Sequence, residues 1–90
     1  MKIAIIVPAY NEAKRIDGVL DGLKKTKLPV IVVDDGSRDK TAEVIQKHNV
    51  TFLRHKINLG KGAALKTACE AAFLAGADGV IMLDSDVSIN

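Results

Sequence analysis

Ninety residues with 48% hydrophobic and 3% aromatic content and a formal charge of +2 make one small domain, which hides only about 60% of the surface its unfolded chain exposes. The composition excludes disorder; thirteen Lys and Arg spread evenly among eleven Asp and Glu exclude the basic footprint of a nucleic-acid binder, and one Tyr with two Phe gives no stacking platform for single strands. No apolar run approaches the roughly 20 residues of a membrane span and the N-terminus has no secretory pattern, so a cytoplasmic location is expected.

Residues 2–7, Lys-Ile-Ala-Ile-Ile-Val, form an apolar run without alternation that stops at Pro8, the pattern of a strand buried on both faces. Asn11 is a good N-cap for a first helix with Ile16, Val19, Leu20 and Leu23 inward. Lys24, Lys25 and Lys27 gather at the negative end of its dipole, and Pro29 stops it. Residues 30–33 repeat the buried-strand pattern and run into Asp34-Asp35-Gly36-Ser37, a turn with two acids on a strand end. Ser37 or Asp39, with Asp39 preferred, caps a second helix whose inner face is Thr41, Val44, Ile45 and His48. Residues 51–54 read as a short strand and 58–62 as a loop. Leu65, Ala68, Cys69, Ala72 and Phe73 mark a third helix ended by Gly76, and residues 80–83 a fourth strand. The lone Cys69 has no disulfide partner within the chain and reads as core filler.

This βαβαβαβ order, with connections too long for hairpins, predicts an α/β fold: an open parallel sheet with right-handed crossovers and helices on its faces. Ligands of such sheets bind beyond the carboxyl ends of the strands, where strands one, two and four all end in polar residues.

Four segments at that edge carry chemistry. In Asp84-Ser85-Asp86 the acids are two apart, so in an extended chain both carboxylates point to one side and can face one divalent ion. Magnesium or manganese takes one or two carboxylates plus substrate phosphates; an ordinary turn can have the same sequence. In residues 34–39 a carboxylate can accept from a ribose hydroxyl or a base N–H, with Asp35 the better contact and Asp34 also suited to holding the strand end. In residues 7–12, Tyr10 offers a ring to a base beside the Glu12 carboxylate, or else covers the sheet edge. Residues 58–62, Asn-Leu-Gly-Lys-Gly, carry Lys61 into a helix N-terminus, where a phosphate would be favoured. The spacing is not that of a P-loop, and a solvated turn would look the same. His48 and His55 have no partner at metal-ligand spacing and read as surface or packing residues.

Together, and in this order, Val7-Pro8-Ala9-Tyr10-Asn11-Glu12, Val33-Asp34-Asp35-Gly36-Ser37-Arg38-Asp39, Asn58-Leu59-Gly60-Lys61-Gly62 and Leu83-Asp84-Ser85-Asp86 resemble the family 2 glycosyltransferases over the whole chain. The Gly-Lys-Gly loop is most similar to the branch that moves a sugar onto dolichyl or undecaprenyl phosphate. The resemblance implies a GT-A fold, with residues 1–90 as its Rossmann-like, nucleotide-sugar-binding N-terminal part, cut off after the acidic motif. It implies a UDP- or GDP-linked sugar bound by Pro8, Ala9, Tyr10, Glu12, Asp34, Asp35, Lys61 and Asp84. Mg2+ or Mn2+ would be held by Asp84 and Asp86, with Ser88 as a further ligand where several lipid-phosphate members carry Gln. It further implies inversion at the sugar carbon, a polyprenyl phosphate as acceptor, and a place at the cytoplasmic face of the membrane for the full-length protein. The family's usual catalytic base comes after the acidic motif, so no catalytic residue is assigned here.

Two other readings compete. A dinucleotide-binding oxidoreductase shares the fold, but needs a glycine fingerprint where this first loop has Pro8, Tyr10 and Glu12. A non-catalytic half-domain would expose a sheet edge through which two copies could form a homodimer.

Overall fold

The computed structural model describes residues 1–84. They form strand β1 (Ile3–Ala9), helix α1 (Ile16–Leu23), strand β2 (Val30–Asp34), helix α2 (Thr41–Ile45), strand β3 (Thr51–Arg54), helix α3 (Lys61–Leu74) and strand β4 (Gly79–Met82). The strands make one parallel sheet in the order β3-β2-β1-β4, with Ile5 opposite Val30, Ile31 opposite Thr51 and Ile3 opposite Gly79. The α/β architecture expected from the alternating elements is the one observed.

The unbroken apolar runs of β1 and β2 resolve by parity into two cores. Ile5, Val7 and Ala9 with Val30 and Val32 pack on Ile16, Leu20 and Ile45 of α1 and α2. Ala4 and Ile6 with Ile31 and Val33 pack on Ala64, Ala68 and Ala72 of α3. Successive side chains of a strand point to opposite faces, so a strand with helices on both sides must be apolar at every position. Alanines four residues apart line one side of α3 and let it lie close to the sheet, while Leu65 and Cys69 are partly buried beside them. Cys69 is thus packing material, as its position on the apolar side of the helix suggests.

The chain steps from β1 to β2 to β3 in one direction, then returns through α3 to place β4 on the other side of β1. Right-handed crossovers then put α1 and α2 on one face and α3 on the other. The loop after β1 leads to α1 on one face and the loop after β3 to α3 on the other; open sheets bind ligands beyond the strand ends where the strand order reverses in this way.

Several local expectations need correction. Helix α1 starts at Ile16, and Asn11 does not cap it. Asn11 lies in the left-handed region at φ 50°, and its side chain accepts the N–H of Arg38 instead. The amides of Arg15 and Ile16 close a turn onto the Glu12 carbonyl at 3.0 and 2.8 Å. Helix α2 stops at Ile45, before His48, and Lys40 holds its N-cap position. Asp39 still serves the helix start from one residue further out, taking the Thr41 N–H at 2.9 Å, whereas Ser37 is spent on the first loop. Phe73, expected inward on α3, is 52% exposed. The stop at Gly76 is as expected: at φ 97° it donates to Phe73, and Ala77 reaches back to Ala72 at 3.0 Å, a Schellman ending. Among the described residues no helix is long and apolar enough to cross a membrane.

Candidate functional site

A cleft of about 300 Å³ opens at the carboxyl edge of the sheet. Pro8, Ala9, Tyr10 and Glu12 line it from the end of β1 and the loop beyond, Asp35 from the end of β2, Asn58, Gly60 and Lys61 from the turn into α3, and Asp84 from the end of β4. Four chain segments far apart in sequence therefore meet there, and every residue expected to bind nucleotide except Asp34 lines it. Asp86 and Ser88, the other expected metal ligands, lie outside the described residues. A larger hollow of about 530 Å³ sits at the opposite end of β2 beside Pro29 and Val30 and contains none of the motif residues.

The first loop is fixed by the second. The Asn11 amide donates to the Ser37 hydroxyl at 2.8 Å, the Glu12 amide to the Thr41 hydroxyl at 2.9 Å, and the Arg38 amide to the Asn11 side chain at 2.9 Å. These bonds satisfy loop amides that would otherwise need water, and they set where Tyr10 stands. Tyr10 is 42% exposed beside the cleft, so its side chain is open to an aromatic partner.

The two neighbouring acids divide their work. Asp34 is fully buried: it accepts the Ser37 amide at 3.1 Å and the Ser37 hydroxyl, and its other oxygen lies 3.3 Å from the Arg54 guanidinium. It shapes the turn and does not line the cleft. Asp35, 2% exposed, accepts from His55 Nδ1 at 2.8 Å, Asn58 Nδ2 at 3.0 Å, and the amides of Leu59 and Gly60 at 2.9 and 2.8 Å. Burial pushes the Asp35 carboxyl up, but the His55 hydrogen bond and the Leu59 and Gly60 amides outweigh it and hold it below the usual carboxylate range. So Asp35 borders the cleft while its oxygens brace the turn that carries Lys61.

That brace requires close approach. A Cβ on Gly36, at φ 73°, would sit 2.5 Å from the Ile57 carbonyl carbon and 2.6 Å from the Asn58 nitrogen, so only glycine fits. At the far side of the cleft the Lys61 ammonium pairs with the Asp84 carboxylate.

Sequence reasoning missed Ser37 and Thr41 as loop fasteners, and His55 and Asn58 as partners of Asp35. His55 gives no local signal, because its partners Asp35 and Thr67 meet only once the parallel sheet has formed.

With Glu12, Asp35 and Asp84 against Lys61, the lining holds more negative than positive charge. An anionic ligand entering it needs compensating positive charge. Asp84, an oxygen ligand at the rim with 28% of its side chain exposed, suits a hard divalent cation. Among the described residues no cluster of three or more ligating side chains is present.

Residues 4–90 match the model of the family "Glycosyl transferase family 2". A dolichyl-phosphate beta-glucosyltransferase of Trichomonas vaginalis is 33% identical over 103 residues, covering 91% of this chain and 32% of that protein. The structure of Staphylococcus aureus TarS in complex with UDP superposes with a TM-score of 0.80 at 34% identity, over 96% of this chain and 28% of that one. Glucosyl-3-phosphoglycerate synthase of Mycobacterium tuberculosis, solved with Mn2+ and UDP, gives a TM-score of 0.78 at 26% identity over 97% of this chain and 34% of the other. The chain spans about a third of the length of the curated relatives it matches.

Proposed function

Since this chain belongs to glycosyl transferase family 2, we propose that it is the donor-binding part of a metal-dependent, inverting glycosyltransferase that takes a UDP- or GDP-linked sugar. The observation that carries this reading is the meeting of Tyr10, Lys61 and Asp84 around one cleft at the carboxyl edge of the sheet. An aromatic face for the base, a cation for phosphate and an oxygen ligand for a metal ion are the groups a nucleoside diphosphate needs.

In this reading Pro8, Ala9, Tyr10 and Glu12 form the nucleoside wall, with Tyr10 stacking on the base. Asp35 contributes through the turn it braces, and Lys61 meets the diphosphate. Asp84 holds Mg2+ or Mn2+ with Asp86, and Ser88 as a further ligand. The bound ion supplies positive charge against the departing nucleoside diphosphate. Mn2+ and UDP together in the mycobacterial synthase support that pairing here. The acceptor is a polyprenyl phosphate, supported by the dolichyl-phosphate transferases among the relatives. Its phosphate oxygen is already anionic, so it attacks the sugar carbon opposite the leaving group with little need for a base, and inverts the configuration. With such a lipid acceptor, the full-length protein would work at a membrane, and we propose its cytoplasmic face.

Tyr10 is the chain's single tyrosine and there is no tryptophan, so the intrinsic fluorescence reports on Tyr10 alone. UDP or GDP added with Mn2+ is expected to quench it saturably, and Tyr10→Leu, which removes the signal, is expected to weaken calorimetric binding of the same nucleotide. Quenching that is linear in nucleotide up to millimolar concentration would count against a base-stacking site.

A second reading rests on exposed apolar side chains. Ile81 and Met82 of edge strand β4 are 49% and 64% exposed, and Leu74 at the end of α3 is 90% exposed. Two copies could cover these residues by pairing along β4. Sedimentation equilibrium of the chain distinguishes a dimer from a monomer.

A further inference from the structure

We propose that His55 is a positioning residue for the diphosphate end of the cleft, an inference that rests on the nucleotide-binding reading above. Its imidazole is largely buried, with 13% of the side chain exposed, and ties together three segments: its own position after β3, Asp35 after β2, and Thr67 on α3. Nδ1 is 2.8 Å from an Asp35 oxygen and Nε2 is 2.8 Å from the Thr67 hydroxyl. A carboxylate only accepts, so Nδ1 carries the proton, and in the neutral ring Nε2 accepts from Thr67.

The consequence reaches Lys61 through Asp35. The oxygen that takes the His55 bond also accepts the Leu59 amide at 2.9 Å, and the other oxygen accepts the Gly60 amide at 2.8 Å. Gly60 sits at φ 103° immediately before the first residue of α3, which is Lys61. Orienting the Asp35 carboxylate therefore orients the two amides that deliver Lys61 to the cleft. The second bond, from Thr67 two turns into the helix, fixes α3 against the same imidazole, so the helix and its leading turn move together. The nucleoside wall meets Asp35 through the sheet backbone, where the Asp35 amide donates to the Ala9 carbonyl at 2.8 Å, a bond that does not use the carboxylate His55 orients. Loss of His55 thus acts on the phosphate end and leaves the base end in place.

The test compares UDP and uridine, each with Mn2+, by calorimetry on the wild-type chain, His55→Ala, His55→Asn and Thr67→Val. Hydrogen exchange of the Leu59 and Gly60 amides is followed in the same proteins without ligand. His55→Ala is expected to weaken UDP about tenfold, the scale of one hydrogen bond to a charged group, to leave uridine unchanged, and to speed exchange at Leu59 and Gly60. Asn places an N–H near the position of Nδ1, so His55→Asn is expected to restore most of the UDP affinity; Thr67→Val, which keeps the Asp35 bond, should lose less than His55→Ala. Equal losses for UDP and uridine, or unchanged exchange at both amides in a folded His55→Ala, would overturn the proposal. If His55→Ala does not fold, amide exchange in His55→Asn and Thr67→Val decides it: protection of Leu59 and Gly60 kept in His55→Asn and partly lost in Thr67→Val is expected, and protection lost in His55→Asn or fully kept in Thr67→Val would overturn the proposal. Failure of the wild-type chain to bind any nucleotide would sink the nucleotide reading separately, since the exchange arm needs no ligand.

Discussion

Lys61, the first residue of α3, and Asp84, just past β4, form an ion pair across the mouth of the cleft. Each is a group that a metal-bound diphosphate would claim, Asp84 by the cation and Lys61 by the phosphate. On the proposed function the ammonium would hold the place of part of the cation's charge, and donor binding would exchange this pair for two others.

Lys61→Ala is expected to raise the affinity for Mn2+ alone severalfold, because an exposed pair of this kind is worth about 0–1 kcal/mol and no longer competes for Asp84. The same change is expected to weaken UDP in the presence of Mn2+ by about tenfold, the loss of one charge-assisted contact. Paramagnetic resonance of free Mn2+ measures the first and calorimetry the second; a fall in both affinities would show that Lys61 and Asp84 do not compete.

Gly36→Ala tests the close approach between the turn after β2 and the turn before α3. The new methyl would meet the Ile57 backbone at 2.5 Å, at a φ of 73° that disfavours any side chain. A loss of at least about 1 kcal/mol in urea unfolding is expected, with weaker UDP binding because Asn58 and Gly60 shift with the displaced backbone.

Acid should unfold the protein through two carboxyls in particular. Burial raises the Asp39 carboxyl, but the Thr41 hydroxyl and amide and the Ala13 amide outweigh that and hold it low, as the bonds to His55, Leu59 and Gly60 do for Asp35. A carboxyl with a lowered folded-state pKa contributes stability that is fully present above its ordinary value, here 3.8, and is lost as pH falls through the lower folded value. Urea midpoints should therefore be flat near neutrality and drop below about pH 4, with a shallower drop in Asp39→Asn. An unaltered acid slope in that variant would remove Asp39 from the explanation.

The core facing α3 should resist enlargement. Ala68 is fully buried between Ala64 and Ala72 against Ile6 and Val33, so Ala68→Leu is expected to cost about 1–3 kcal/mol by forcing the helix off the sheet. Ile6→Ala, on the same face, is expected to cost about 2–5 kcal/mol by leaving a cavity. Chemical denaturation of both variants measures these values.

The sheet, its parallel sense and the site edge were legible because β1 and β2 are apolar at every position, which only a two-sided cover tolerates. The cleft residues were legible because Tyr10, Lys61 and Asp84 each follow or precede a recognisable element. The start of α1 was not, since Asn11 looks like a cap and is recruited by Arg38 and Ser37 across 26 to 27 residues. His55 was equally hidden: its value comes from Asp35 and Thr67, 20 and 12 residues away, and no local pattern encodes those meetings. Phe73 looked inward because it is large and apolar, but the alanine stripe of α3 sets the buried side, and Phe73 lies off it.

The central claim is that this cleft binds a nucleoside diphosphate through a metal ion at Asp84. Calorimetric titration of UDP and of GDP, each with and without Mn2+, into the wild-type chain and into Asp84→Ala measures it most directly. Saturable binding of one nucleotide that requires Mn2+ and disappears in Asp84→Ala is the expected result; binding that is indifferent to Mn2+ and to the substitution, or no binding of either nucleotide to the wild type, would refute it.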